Sequence, residues 1–436
     1  MFAELLAHPY PTDGVSVPKH CVRPRKGIGM AQNATRISRK EIAPAFAGTL
    51  VCAALLFVAM NALQPLLLEN NLIHDFGTML TGCMEGTPFY KAMWFFADFT
   101  EATFIASVPA SIFMIIAGFV AAYLERKKSR FAGTGVDGHG HIFSGMFFAT
   151  AAAILLGMLV FGELYPGWTG WIPTFAVVLT VQVFVIFFGV SPAKLATIVL
   201  LGTLITFPIV YVLQIFVVGP LGLPLFVAVS IAVFIVVPLC TALFKLFPWM
   251  KIEEPEAPAQ DAEEAGGNDS SPTVFFLNRI FGDVGELAIW GSSIATIAMY
   301  IGAIIGWVLN PLEPAYGAGN FPLLMASQIA VAALAIFIWY PKWKSEGWAF
   351  TFPGIVLVSA VVGSYAATGT TGDIVVALLT IVIGGIIFAP MVEKVMALFR
   401  YKGSYHVIAL IQLCIFSVCI IWSFAVMYLI LPLFAA

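Results

Sequence analysis

Asp98 and Glu101 lie three residues apart in WFFADFTEATFIAS, residues 94–107, and Asp283 and Glu286 repeat that spacing in IFGDVGELAIWGSS, residues 280–293. Residues three apart share one helix face. In apolar surroundings such a carboxylate pair has two uses. It can accept the free N–H groups of a helix start, because D-x-x-E ahead of an apolar run is close to a capping box and negative charge suits the positive end of the helix dipole. Buried more deeply, it can bind a cation or carry a coupling proton, since ionisable groups inside a membrane are costly and usually functional. Counting back about 20 residues from Leu124 and from Asn310 places both pairs at bilayer edges, which favours capping. The apolar stretches ahead of them, FYKAMWFFA (89–97) and VFFLNRIFG (274–282), favour a helix break inside the membrane.

Two further groups of polar residues could bind a solute. Ser191-Pro-Ala-Lys194 and Thr368-Gly-Thr-Thr-Gly-Asp373 interrupt apolar runs at matched places in the two halves of the chain. They read either as tight turns between full spans or as re-entrant tips whose backbone N–H groups and hydroxyls suit a carboxylate or a small cation. On the second reading Ser191, Thr368, Thr370, Thr371 and Asp373 join the candidate site. Asp137-Gly-His139-Gly-His141 contains an H-x-H pair, but a glycine-rich loop without further ligands reads as a loop, and no metal site is expected. The chain contains no phosphate-binding glycine loop followed by Lys-Ser/Thr, no H-E-x-x-H and no G-x-S-x-G.

The elements that must hold these residues are membrane helices. Of 436 residues, 60% are hydrophobic and 10% charged, against about 25% charged in soluble proteins. The expected class is an all-α polytopic membrane protein of about eleven transmembrane helices. The candidate spans are 44–67, 103–124, 142–162, 171–190, 195–217, 222–246, 287–309, 321–340, 349–367, 374–392 and 405–433. With the N-terminus inside, 20 of the 21 Lys and Arg residues fall on the inner side and one, Lys91, outside. This alternation predicts a multi-pass plasma (inner) membrane protein with a cytoplasmic N-terminus and an external C-terminus. Residues 1–42 read as a basic cytoplasmic tail, with Met30 as an alternative start and a transit peptide disfavoured by Glu4 and Asp13. The Pro-, Ala- and acid-rich stretch 251–272 reads as a flexible cytoplasmic linker. It separates residues 43–250 from 273–436. The six cysteines are scattered without C-x-x-C, which predicts no disulfide framework and no zinc site.

An offset of 185 residues lays 95–116 on 280–301 with eight identities, including both carboxylates and the pair Ser107/Ser292. Tyr165-Pro166 with Trp171, Thr174 and Phe175 answers Tyr340-Pro341 with Trp348, Thr351 and Phe352, and Pro208 answers Pro390. The reading is one extra N-terminal span followed by two five-span repeats, and an odd repeat inverts its second copy in the membrane. This 1 + 5 + 5 layout resembles that of anion symporters with re-entrant hairpins, such as the 2-hydroxycarboxylate carriers. The resemblance is of layout alone. That family's Gly-Gly-x-Gly tips are absent, so neither its substrate nor its residues carry over.

The expectation is a secondary transporter, not an enzyme, for a small polar or anionic solute, coupled to H⁺ or Na⁺ and needing no other cofactor. The alternatives are a membrane-embedded enzyme holding a divalent metal on the two D-x-x-E pairs, and a channel or scaffold subunit. The expected partners are the solute, the lipid bilayer and, in a homo-oligomer, further copies of the chain; nucleic acid is not among them.

Overall fold

The computed structural model describes residues 38–129, 131–134, 142–162, 173–251, 271–286, 290–346, 349–366, 370–398 and 405–434. The basic tail up to residue 37, the H-x-H loop, Thr368 and residues 252–270 of the linker lie outside the described residues. Residues 39–436 group as one compact unit. The described secondary structure is helical. The helices are α1 (Ala43–Leu67), α2 (Phe76–Met84), α3 (Pro88–Ala97), α4 (Val108–Arg126), α5 (Phe143–Phe161), α6 (Pro173–Phe188) and α7 (Pro192–Leu213). They continue with α8 (Phe226–Phe244), α9 (Pro272–Glu286), α10 (Ser293–Leu309), α11 (Phe321–Glu346), α12 (Pro353–Tyr365), α13 (Thr371–Leu398) and α14 (Tyr405–Ala425).

Each of the eleven apolar segments read from the sequence overlaps one of these helices. Among the described residues, eight helices are long and apolar enough to cross a membrane. The segments that fall short are α6 with 16 described residues, α10 with 17 and α12 with 13. Among the described residues Cys52, Cys83, Cys240, Cys414 and Cys419 are free thiols.

The helix starts differ from the hydropathy windows for local reasons. The window at 103 is shortened because Phe104 (φ 61°) and Ala106 (φ 45°) are left-handed and cannot join a right-handed helix. Helix α4 begins instead at Val108, with Pro109 in its first turn and the Ser107 hydroxyl accepting the Ala110 N–H at 3.3 Å. Helix α10 starts the same way, with Ser292 accepting the Ala295 N–H at 3.3 Å.

Helix α11 serves as a ruler through the bundle. At one end Gln64 of α1 donates to the Gly319 carbonyl, and Asn320 donates to carbonyls at the end of α12, Val362 and Ala366. At the other end the Tyr340 hydroxyl meets Glu41 and Arg39 donates to the Ile338 carbonyl. Twenty residues separate Asn320 from Tyr340, about 30 Å of helix, which is one hydrocarbon thickness. Helix α12 covers about 20 Å of that depth. It starts where Gly354 packs against Val331 and Gly384, part-way along α11, and ends at Asn320. The non-helical residues 349–352 ahead of it therefore lie inside the bundle, where Thr351 is buried.

Candidate functional site at two helix breaks

The D-x-x-E residues do not cap helix starts. Asp98 is the C-cap of α3 and opens a six-residue 3-10 turn, Asp98–Thr103, before the left-handed break at 104–106. Asp283 and Glu286 lie in the last turn of α9. The capping role passes to Ser107 and Ser292, beyond each break. The carboxylates thus stand at helix C-terminal ends, where the macrodipole disfavours negative charge. Asp98 and Glu101 are each 1% exposed and Asp283 is fully buried. Burying charge at the unfavourable end of a helix requires compensation.

Both breaks reach the interior. The Phe275 ring of α9 meets Tyr340 at one end of the bundle, and Asp283 lies eight residues further along, about 12 Å deeper. From the opposite end, α3 descends past the Phe76–Trp94 ring contact. The 3-10 turn beyond it ends at Thr103, whose carbonyl accepts the Gln328 side-chain N–H at 2.8 Å. Gln328 is eight residues from Asn320, again about 12 Å deep.

The first break is held by a dense polar network. The Thr100 hydroxyl donates to the Ser107 carbonyl at 3.3 Å, shares a hydrogen bond with Ser111 at 2.9 Å, and accepts the Ser107 N–H. The Thr103 hydroxyl donates to the Thr100 carbonyl at 2.6 Å. Gln328 also donates to Ser359 and accepts from Tyr300, so its amide ties the break to α10, α11 and α12. Buried hydroxyls, carbonyls freed from helical pairing and carboxylates together form the donor set that suits a small hard cation.

The connection 310–320 packs against this break. Glu313, 3% exposed, accepts the Val108 N–H at 2.8 Å, so it caps α4 from the other half of the chain. The Ala315 N–H donates to the Ile105 carbonyl at 2.6 Å, and the Tyr316 hydroxyl donates to the Glu101 carbonyl at 3.4 Å. Ala315 and Tyr316 are both left-handed (φ 54° and 56°), a conformation that non-glycine residues hold only when their surroundings impose it. Glu313→Ala should leave the first turn of α4 short of an acceptor and destabilise the protein by about 1–3 kcal/mol, whereas Glu313→Gln, which keeps an acceptor, should lose less. Thermal melts of the two purified variants check the difference.

At the second break Arg279 bridges both carboxylates, with Nε donating to Asp283 at 2.5 Å and Nη2 to Glu286 at 2.6 Å. The Thr351 hydroxyl donates to the other Asp283 oxygen. Thr134, beyond the end of α4, exchanges hydrogen bonds with Ser293 and so clamps the start of α10.

The polar interruptions at 191 and 370–373 have other surroundings. Ser191 is exposed, on a turn beside Gly145 near the start of α5. Thr370 and Thr371 are exposed; the Thr370 hydroxyl accepts the Asp373 N–H at 3.1 Å, and Asp373 is buried in the first turn of α13. Among the described residues, irregular stretches that are largely buried lie at 98–107, 290–292, 310–320 and 349–352. Sequence reasoning missed Glu313, Gln328 and the hydroxyls at 100 and 103, because isolated polar residues carry no spacing signal. It took Arg279 only as an orientation marker, although its place four and seven residues ahead of Asp283 and Glu286 puts all three on one helix face.

Comparison of the chain with protein-family models, curated proteins and solved structures found no significant match.

Proposed function

We propose that the chain is a secondary transporter of a small polar or anionic solute, driven by H⁺ or Na⁺ and working by alternating access between two inverted repeats. The observation that carries this reading is the pair of buried, carboxylate-bearing helix breaks that enter the bundle from opposite ends. Broken helices meeting near the midplane are where transporters place ion and substrate sites, because unwound backbone offers carbonyls and N–H groups that regular helix hides.

The packing of α4 on α10 supports the repeat. The two helices run antiparallel, with Pro109 beside Gly302 and Gly118 beside Trp290. They cross near the level of Ile112 and Ile297, the residues that the offset of 185 equates. Six of the eight matched identities also agree in burial, Phe96/Phe281 and Glu101/Glu286 being the exceptions. Asp98/Asp283, Ser107/Ser292, Ala110/Ala295 and Met114/Met299 are buried, while Ile112/Ile297 and Ile116/Ile301 are exposed. Chance identities in apolar sequence have no reason to agree in burial.

The test is uptake by the purified protein in liposomes under imposed Na⁺ or H⁺ gradients, screened with small carboxylates and polar solutes. Gradient-dependent accumulation is expected, and equal flux with and without a gradient would sink ion coupling. The charge distribution supports a cytoplasmic N-terminus and an external C-terminus in the plasma membrane. A reporter fused after Ala436 should be active outside, and cytoplasmic activity would reverse that orientation.

A further inference from the structure

We propose that Asp283, Glu286, Thr351 and Trp343 form a monovalent-cation site and that Arg279 occupies it as a cation tethered to the chain. The inference rests on the reading of the D-x-x-E pairs as cation-binding elements and names the occupant of the second one. The guanidinium is enclosed on three sides. Its Nε and Nη2 donate to Asp283 and Glu286 at 2.5 and 2.6 Å. Its Cζ lies 4.3 Å from the Trp343 ring centroid, within cation–π range. Thr351 donates to the second Asp283 oxygen and so holds that carboxylate in place. Two carboxylates and an aromatic face are what a protein assembles to receive an organic cation, and charge-assisted bonds of this length are the strong kind.

The tethered cation is what separates the two copies. The offset that equates Asp98 with Asp283 and Glu101 with Glu286 puts Trp94 where Arg279 stands. Trp94 is buried and packs on Phe76, so the first element takes an aromatic residue at the position from which the second takes a guanidinium. The second element therefore needs no diffusible cation in this conformation. Deleting the side chain should turn it into one that does.

Arg279→Ala in the full-length protein, held in detergent or nanodiscs, should melt roughly 5 °C or more below the parent, because it leaves the buried Asp283 and the half-buried Glu286 without their cation. Millimolar guanidinium should restore the loss in this variant and leave the parent unchanged. The triple variant Arg279→Ala/Asp283→Asn/Glu286→Gln removes the cation and both negative charges together. It should recover much of the stability and ignore guanidinium. An Arg279→Ala protein that melts like the parent, or whose loss guanidinium leaves untouched, overturns the proposal. If Arg279→Ala cannot be produced, production of the triple variant supports the proposal, and failure of both overturns it. None of these readouts involves transport. Rescue in a protein that moves no solute would refute the transporter reading and keep the cation site. Gradient-driven uptake without rescue would do the reverse.

Discussion

Asp98→Asn is expected to reduce gradient-driven uptake at least tenfold, with Asp283→Asn reducing it by a comparable factor, while both proteins still insert and fold. The two residues differ in what surrounds them, so the same loss would arise by different routes. Asp98 lies at the C-terminal end of α3, next to the hydroxyls and freed carbonyls of 100–107. Neutralising it removes the charge that would hold a coupling cation, and a tenfold loss corresponds to only about 1.4 kcal/mol of that interaction. Neutralising Asp283 instead leaves Arg279 with Glu286 as its one remaining carboxylate among these contacts, and leaves a single amide oxygen where Arg279 and Thr351 now each use a carboxylate oxygen. The measurement is initial uptake in liposomes at matched protein density, with thermal melts alongside. Full gradient-driven transport by the double variant would reduce both carboxylates to structural roles.

Gly302→Leu is expected to be the most damaging single change to the assembly of the two halves. A Cβ at Gly302 would stand 2.5 Å from the Pro109 carbonyl oxygen and 2.9 Å from the Ala110 Cα. Both are backbone atoms at the start of α4, so no rotamer change relieves the clash, and α4 and α10 must separate. Small residues permit this close approach in a membrane, where packing and not the hydrophobic effect drives helix association. Even Gly302→Ala should cost about 1–3 kcal/mol through overpacking, and Leu more. The effect is read as lost monodisperse protein in gel filtration and, for the Ala variant, as a lowered melting temperature. Gly48→Ala is a fitting control, because a Cβ there meets nothing within 4 Å. Equal behaviour of Gly302→Ala and Gly48→Ala would show that the α4–α10 contact is looser than its geometry requires.

Sequence reasoning paired the two D-x-x-E elements, but the capping role it favoured for each is not the one the structure gives them. Capping suited Asp98 and Glu101 as a local pattern, since an apolar helix comes after them. It fails because Phe104 and Ala106 turn left-handed between the carboxylates and α4, and Ser107 takes the cap. The polar interruption at 368–373 was conspicuous in composition. The buried irregular stretch at 349–352 was not, and only the packing of Gly354 at mid-depth on α11 exposes it.

The sequence by itself determined the features that can be counted along one chain. A helix satisfies its own backbone groups, so apolar runs of span length announce helices without reference to neighbours. The recurring spacing of scarce carboxylates is likewise in plain view along the chain. The tertiary structure decided everything that depends on residues far apart in the chain. These are the depth of the carboxylates, the capping of α4 by Glu313 from the other half, the Gln328 amide joining the first break to three helices, and Thr351 meeting Asp283 across 68 positions. Each is a contact between segments whose local sequences carry no mark of one another, because packing selects shape and a free hydrogen-bonding group, and neither has a period.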